Sequence, residues 1–525
     1  MKNLLKFIGI ITLAAAIGFS MTACGDSSNP DDSDDKDANG FVKFNLTGAK
    51  AILAAESSSG GRAVSGIDGG LYKVLADDSV VSLIEMSTTD NSQNTGNNNS
   101  GGANYAPGYG NNGIPRVKFI ARSPVAGKKD LYICFDGNWD FWTEGYWVEG
   151  SGSKEGYWVE GERKTIGTFI HVKEDGSFVT LSGNDNNSWN NIQTDQDNDP
   201  VAFDQSGNLY FTASESSNNY NTNVIYKYNP VTEKKEQLTA AINNIYFQKV
   251  ELSADGAYVV TKGYRWSNNG NVDFLRLIPT ANPDIADYLF YRTNGGGSVS
   301  AFSLHPQKKE LYISGSGIYN APQSDPPTYE GGFYKISLEG TSRNDWQWTK
   351  FYGEVETFED QEYYFHNVQT IFAAPDNSVW GIPGSSYWNN NYDNRRKAFT
   401  RLIDTDGQSD FFVPKFIKDR IVVTVKPKST YVYLSVDVST DGQEKGNHNI
   451  YRFPYNDSTK VQNLFQYMTS RNPEYMEVFY FDANDDFLYF GGTQGTALLT
   501  GKIDLATYKY TEFDFGQKII AIVAY

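Results

Sequence analysis

VAFDQSGNLYFTAS, residues 201–214, opens on apolar residues, passes through Asp, Ser, Gly and Asn, and ends rich in aromatics. β-Branched and aromatic residues on either side of turn formers read as two strands joined by a tight turn, a β-hairpin. The pattern recurs as VELSADGAYVVTKG from Val250, FSLHPQKKELYISG from Phe302 and IFAAPDNSVWGIPG from Ile371. It recurs again as VVTVKPKSTYVYLSV from Val422 and VFYFDANDDFLYFGG from Val478, and with a longer turn as VKFIARSPVAGKKDLYICF from Val117.

A second element follows each hairpin: an aromatic or small residue, a basic residue, an apolar residue, then a turn. Its copies are Tyr72-Lys73-Val74, Tyr226-Lys227-Tyr228, Leu275-Arg276-Leu277, Tyr334-Lys335-Ile336, Thr400-Arg401-Leu402, Tyr451-Arg452-Phe453 and Gly501-Lys502-Ile503. Phe169-Ile170-His171-Val172 is an eighth, divergent copy. Strand alternation sets the basic residue on the face opposite its neighbours, where its stem can lie along the sheet with the charge in water. The two elements together make a four-stranded unit of about 40–60 residues, the size of a β-propeller blade.

The ends of the chain complement each other. The first copy, near Leu71, has no clear first hairpin, and Ile519-Ile520-Ala521-Ile522-Val523 is a lone apolar strand. Pairing the two closes the ring and removes the exposed edges of an open array. The expected fold is therefore all-β, a propeller of four-stranded blades closed by the C-terminal strand. Eight blades are counted, or seven if the copy near Phe169 is not a blade. A β-sandwich array is the competing architecture, and it leaves the complementarity of the ends unexplained. The turns over residues 117–525 resemble those of NHL- and YVTN-type propellers, and no WD40 Gly-His…Trp-Asp pattern is present.

Composition agrees with this architecture. Aromatics are 15% of 525 residues, and 49 glycines accompany them, a balance that favours strands and tight turns. The formal charge of −18 becomes −20 once a leader bearing Lys2 and Lys6 is removed. Such a surface repels phosphate backbones, so no nucleic-acid partner is expected. Of two cysteines, Cys24 is assigned to lipid below; Cys134 then has no disulfide partner and reads as a small buried side chain.

Residues 1–23 have the order of a signal peptide: Lys2 and Lys6, an apolar run from Phe7 to Phe19, then small residues. The run is shorter than the about 20 residues of a membrane-spanning helix. Met21-Thr22-Ala23-Cys24 resembles the bacterial lipobox, in which the cysteine thiol is lipidated and the peptide is cut just before it; Leu is commoner than Met at the first position. The resemblance implies two or three acyl chains, palmitate among them, on Cys24. One chain alone binds membranes at only about 10⁴ M⁻¹, whereas several anchor stably. In the lipoprotein sorting rule, Asp directly after the cysteine retains the protein at the inner membrane. Gly25 stands there and Asp26 follows, so the outer membrane is expected. Residues 24–40 form an acidic tether (Asp31-Asp32-Ser33-Asp34-Asp35-Lys36-Asp37) and residues 41–525 the propeller. Acidic runs so close to the cysteine also resemble surface-export signals.

Within the body, residues 87–114 are polar and Asn/Gly-rich and are expected to be a disordered loop. The apolar stretch Phe41 to Glu56 adds a strand to the first blade or packs beneath it. Residues 137–163 hold an aromatic insertion: Trp139, Phe141 and Trp142, then Glu-Gly-Tyr-Trp-Val-Glu-Gly twice, from Glu144 and from Glu155. It falls between a blade's second and third strands and is expected to project as an extended hairpin. Its aromatics either pair across the hairpin and cover a neighbouring blade or form a ligand platform. Trp139, Phe141, Trp142, Tyr146, Trp147, Tyr157 and Trp158 are the candidate binding residues, because flat rings with polar handles suit sugars and protein partners.

Catalytic signals are sparse. The four histidines (His171, His305, His366, His448) lie in different repeats, and HExxH, GxSxG and P-loop motifs are absent. Asp195, Asp197 and Asp199 have the spacing that begins a calcium loop, but Pro200 and Ser206 occupy the places of its Gly and Glu. Asp404, Asp406 and Asp410 make a similar acidic turn. No catalytic residue and no cofactor is assigned. The expected function is a membrane-anchored cell-envelope binding or display propeller for a glycan or protein. The alternatives are a carbohydrate-active hydrolase or lyase, marked by carboxylates converging with a His in the channel, and a structural subunit of an envelope complex, marked by a large flat apolar patch. Sequence leaves the oligomeric state open.

Overall fold

The computed structural model describes residues 42–56, 70–86, 116–182 and 201–525, apart from short stretches inside these ranges, of which 385–398 is the longest. Cys24, the tether, the loop 87–114 and Asp195, Asp197 and Asp199 lie outside the described residues. Eight antiparallel sheets each carry a path of four strands, one of them with a short fifth strand at Ile242–Asn243, and in all but the first the path follows chain order from an innermost to an outermost strand. These are eight blades. Blade 3, for example, is Val201–Phe203, Leu209–Ser217, Tyr220–Asn229 and Lys234–Gln237. The divergent copy near Phe169 is a full blade, blade 2, with Arg163–Val172 as its third strand.

Blade 1 takes its strands from both ends of the chain. Ile519–Ala524 is innermost and pairs with Ala51–Ala55, followed by Gly70–Val74 and Val80–Ser82. The hairpin missing from the first repeat is thus a hairpin without a turn. The Phe41 segment serves twice: Ala51–Ala55 is the second strand of blade 1, and Val42–Phe44 pairs with Ile84–Met86. Gly176 lets the latter dock. Its φ is +84°, and a Cβ there would sit 2.0 Å from the Phe44 carbonyl oxygen.

The core is a set of seams. Eight apolar clusters each join one blade to the next, including one between blade 8 (Tyr489, Phe513) and blade 1 (Ala51, Leu53, Ile519). Leu209 and Phe211 face blade 2, while Tyr210 faces blade 4. Because both faces of a second strand are buried, these strands read as continuous apolar runs rather than alternating ones.

Register explains the repeat's aromatic and basic residues together. Directly opposite one another stand Tyr132 and His171, Tyr210 and Lys227, Tyr312 and Lys335, Trp380 and Arg401, Tyr433 and Arg452, and Tyr489 and Lys502. The expectation of basic residues with their charge in water needs correction. Lys73 and Arg452 are only 5% and 7% exposed. Arg452 donates to Gln462 Oε1 at 2.6 Å and across a seam to the Leu505 carbonyl at 3.1 Å. Lys502 pairs with Asp78 of blade 1, and Arg401 with Asp410 at 2.5 Å. A charge set into a seam is retained by a partner, and the partner tethers the next blade or the local turn.

His171 takes the basic position in blade 2. Its Nε2 lies 3.3 Å from Asp130 Oδ1, its Nδ1 shares a 2.9 Å hydrogen bond with the Tyr228 hydroxyl of blade 3, and its ring stacks on Tyr132 at 4.8 Å.

Candidate functional site

Antiparallel order sorts the connections between strands. Turns from first to second and from third to fourth strands lie at one end of the disc; all other connections lie at the opposite end. At the first end no connection exceeds the nine residues 338–346, and most are tight turns such as 204–208, 253–257 and 404–408. In these, Asp204 Oδ1 accepts from the Ser206 and Asn208 amides (both 2.9 Å), and Gly207 sits at φ +82°. The strand ends joined by the longest connections, 83–116, 143–162, 183–200, 353–370 and 382–399, all lie at the other end. Loops on a rigid scaffold are where binding residues concentrate.

The aromatic insertion leaves blade 2 at this long-loop end. Leu131–Trp142 and Arg163–Val172 pair through it, with Trp142 opposite Arg163 and Phe141 opposite Lys164. Beyond them Tyr146–Val148 pairs with Tyr157–Val159. In this ladder Trp147 stands opposite Trp158, Tyr146 opposite Val159 and Val148 opposite Tyr157. Trp139 is placed differently from the platform expected of it. It is 0% exposed, packed edge-on against Phe135 (5.7 Å) and Phe44 (6.4 Å) in the seam between blades 1 and 2. An enclosed ring presents no face to a ligand.

At the short-turn end, the inner strands of blades 3–7 surround a funnel of about 720 Å³. Sequence reasoning missed it, since its lining comes from five separate repeats. Its lining includes Ala202, Val250, Phe372 and Val425, together with Asp204, Lys227, Lys249, Glu251 and Asp255. Lys249 pairs with Glu251 and donates to the Phe302 carbonyl at 3.0 Å, while Glu251 Oε2 accepts the Leu304 amide at 2.6 Å. Both side chains thereby cover the inner edge of blade 5.

His305 also borders the funnel, fully buried. Its Nδ1 accepts from the Gln307 and Lys308 amides at 3.0 and 3.1 Å, which requires that nitrogen unprotonated. Burial lowers its pKa below the usual histidine value, against an opposing pull from Glu310. The unfolded chain therefore binds the proton more tightly. The stabilisation is present above the ordinary value of about 6.5 and is lost as pH falls through the lower folded value. His305→Asn keeps an acceptor at the turn, as Asn484 does in blade 8 at 3.0 and 2.8 Å from the Asp486 and Phe487 amides. The thermal midpoint of the parent is expected to fall more steeply between pH 7 and 5 than that of His305→Asn; parallel slopes would refute this role.

No family model matches the chain, and no curated protein matches it. Solved structures similar to it include the β-propeller domain of the Trilobed protease from Pyrococcus furiosus, which has an open velcro topology. That match has 11% identity, 76% of this chain and 99% of that one covered, and a TM-score of 0.38. Porphyromonas gingivalis dipeptidyl peptidase 4 matches at 9% identity, over 76% of this chain and 52% of that one, with a TM-score of 0.44. Prolyl oligopeptidase B from Galerina marginata matches at 10% identity, over 73% and 50%, with a TM-score of 0.40.

The remaining sequence candidates are structural where they are described. Asp404 caps its own turn, accepting from the Asp406 and Gln408 amides at 2.9 and 2.8 Å, and Asp410 holds Arg401. Among the described residues no three His, Cys, Asp or Glu side chains gather as metal ligands. Cys134 is buried in the seam between blades 2 and 3, and burial pushes its thiol up to about 12. Described large apolar residues that are exposed (Val81, Val231, Val355, Tyr480) are scattered rather than gathered in a patch. No described helix is long and apolar enough to cross a membrane.

Proposed function

We propose that this chain is a cell-envelope lipoprotein, anchored through acyl chains on Cys24, whose propeller binds a glycan at its long-loop end through the aromatic insertion of blade 2. The observation that supports the reading is the sorting of connections: the long ones, and the hairpin with its two Tyr-Trp-Val triplets, lie at one end of a closed, rigid disc. A scaffold of eight interlocked seams fixes where such loops leave and rejoin the disc, which lowers the ordering cost of binding. Indole and phenol rings supply flat apolar faces with polar handles, which suit pyranose rings. The acidic tether spaces the disc from the membrane.

Two measurements test this. Cys24→Ala is expected to move the protein from the carbonate-washed membrane fraction to the soluble one; retention in the membrane would overturn the anchor. Mature protein lacking residues 143–162 is expected to lose at least about tenfold in affinity for whichever glycan of a polysaccharide panel the parent binds, since removing a Trp or Tyr that anchors a ligand typically costs about 2 kcal/mol or more. Undiminished binding would remove the insertion from the site, and breakdown of a bound glycan would put a carbohydrate-active enzyme in place of a binder.

A further inference from the structure

Among the described residues, four that are not glycine hold a left-handed backbone: Asp78 (φ +68°), Glu233 (+57°), Asn377 (+74°) and Tyr508 (+59°). Glycine takes this conformation without steric cost, Asn and Asp tolerate it, and a bulky residue such as Tyr is strained by it. All four stand in tight turns at the short-turn end, 75–79, 230–233, 374–378 and 505–509. Their own turns are capped by other residues. Asp77 Oδ1 accepts from the Ser79 amide at 3.1 Å, and Asn229 Oδ1 from the Val231 and Thr232 amides at 2.9 and 3.0 Å. Asp376 Oδ1 accepts from the Ser378 amide at 3.0 Å, and Asp504 Oδ1 from the Ala506 and Thr507 amides at 2.9 and 2.7 Å.

What the four share is a neighbour in the preceding blade. Asp78 of blade 1 pairs with Lys502 of blade 8, which precedes it around the ring, and Glu233 of blade 3 pairs with Lys173 of blade 2 at 2.5 Å. The Tyr508 hydroxyl of blade 8 accepts from Gln462 of blade 7 at 2.5 Å, and its ring lies 5.8 Å from the Arg452 guanidinium. Asn377 of blade 6 stands beside His305 of blade 5. Glycine is used where a side chain would reach nothing: a Cβ on Gly127, Gly256 or Gly407, left-handed in other turns of the same end, has no atom within 4 Å.

We infer that these four residues are seam latches, each keeping a strained backbone because its side chain holds the preceding blade. They join blade 8 to 1, 2 to 3, 5 to 6 and 7 to 8, all at the end of the disc opposite the long loops. Asp78 fastens the seam at which the ring closes. Its pair with Lys502 is the more enclosed of the two ionic latches, with side chains 29% and 12% exposed against 46% and 30% for Glu233 and Lys173. Solvent screens the exposed pair more, so the larger effect belongs to Asp78.

The test reads the denaturant midpoint and the rate of limited proteolysis of the mature protein. Asp78→Asn removes the charge but keeps a residue that tolerates the backbone; Asp78→Gly removes charge and strain together. Both are expected to lower the midpoint, and Asp78→Asn to speed cleavage about threefold, the scale of losing a half-exposed ion pair. In a Lys502→Met background, where the latch is already gone, Asp78→Gly is expected to leave the midpoint unchanged or raise it. Gly407→Ala, which adds strain and no contact, is expected to lower the midpoint of the parent. The inference is overturned if Asp78→Gly raises the parent's midpoint, or if it lowers the midpoint equally with and without Lys502. It is also overturned if Gly407→Ala is neutral, or if Asp78→Asn leaves the midpoint unchanged, a comparison that stands even should Lys502→Met fail to fold.

Discussion

A chain ending at Lys518 is expected to lose cooperative folding, because blade 1 would have no inner strand. Ile519, Ile520 and Val523 are 1%, 4% and 9% exposed and pack into the seams on both sides of blade 1. Burial of three such side chains contributes about 5–9 kcal/mol together, comparable with the whole stability of an ordinary domain at about 5–15 kcal/mol. Truncation also strands the ladder partner Ala51–Ala55 and leaves Asp482 Oδ2 without the Ala524 amide it holds at 2.9 Å. Asp482 is to blade 1 what Glu251 is to blade 5, a carboxylate from the preceding blade capping an inner edge. Thermal unfolding followed by circular dichroism, with limited proteolysis, reads the effect. A truncated protein melting within a few degrees of the parent would show that the ring does not need this strand.

Trp139→Ala is expected to destabilise the protein by about 3–5 kcal/mol, the usual cost of emptying a fully buried large aromatic site. The cavity would open among Phe44, Phe135 and Ile166, between blades 1 and 2, at the base of the insertion. Denaturant titration should show a lower midpoint with an unchanged slope, and glycan affinity measured well below the unfolding transition should hold. The reverse outcome, unchanged stability with weakened binding, would return Trp139 to the ligand platform.

Much of the fold was legible because hairpin chemistry is local. Asp204, Gly207 and Asn208 specify a turn whatever surrounds them, and VAFDQSGNLYFTAS forms the two strands its residues announce. Closure was legible because an unpaired strand at one end and an incomplete repeat at the other are both properties of the chain. The partners of the basic residues were not legible. Whether Lys502 meets water or Asp78 depends on a residue more than 400 positions away, brought close only by closure. Trp139 illustrates the same limit: its neighbours in sequence are insertion aromatics, and its neighbours in space include Phe44.

The sequence by itself determined the strand order within each blade and the pairing of the two ends, and narrowed the blades to eight or seven, since alternation and turn formation act over a few residues and recur along the chain. Tertiary structure alone decided which charges are spent inside seams, which aromatic is core, and that the insertion and the funnel lie at opposite ends of the disc. Those facts arise from contacts between blades, and burial and electrostatics depend on distance in space rather than along the chain.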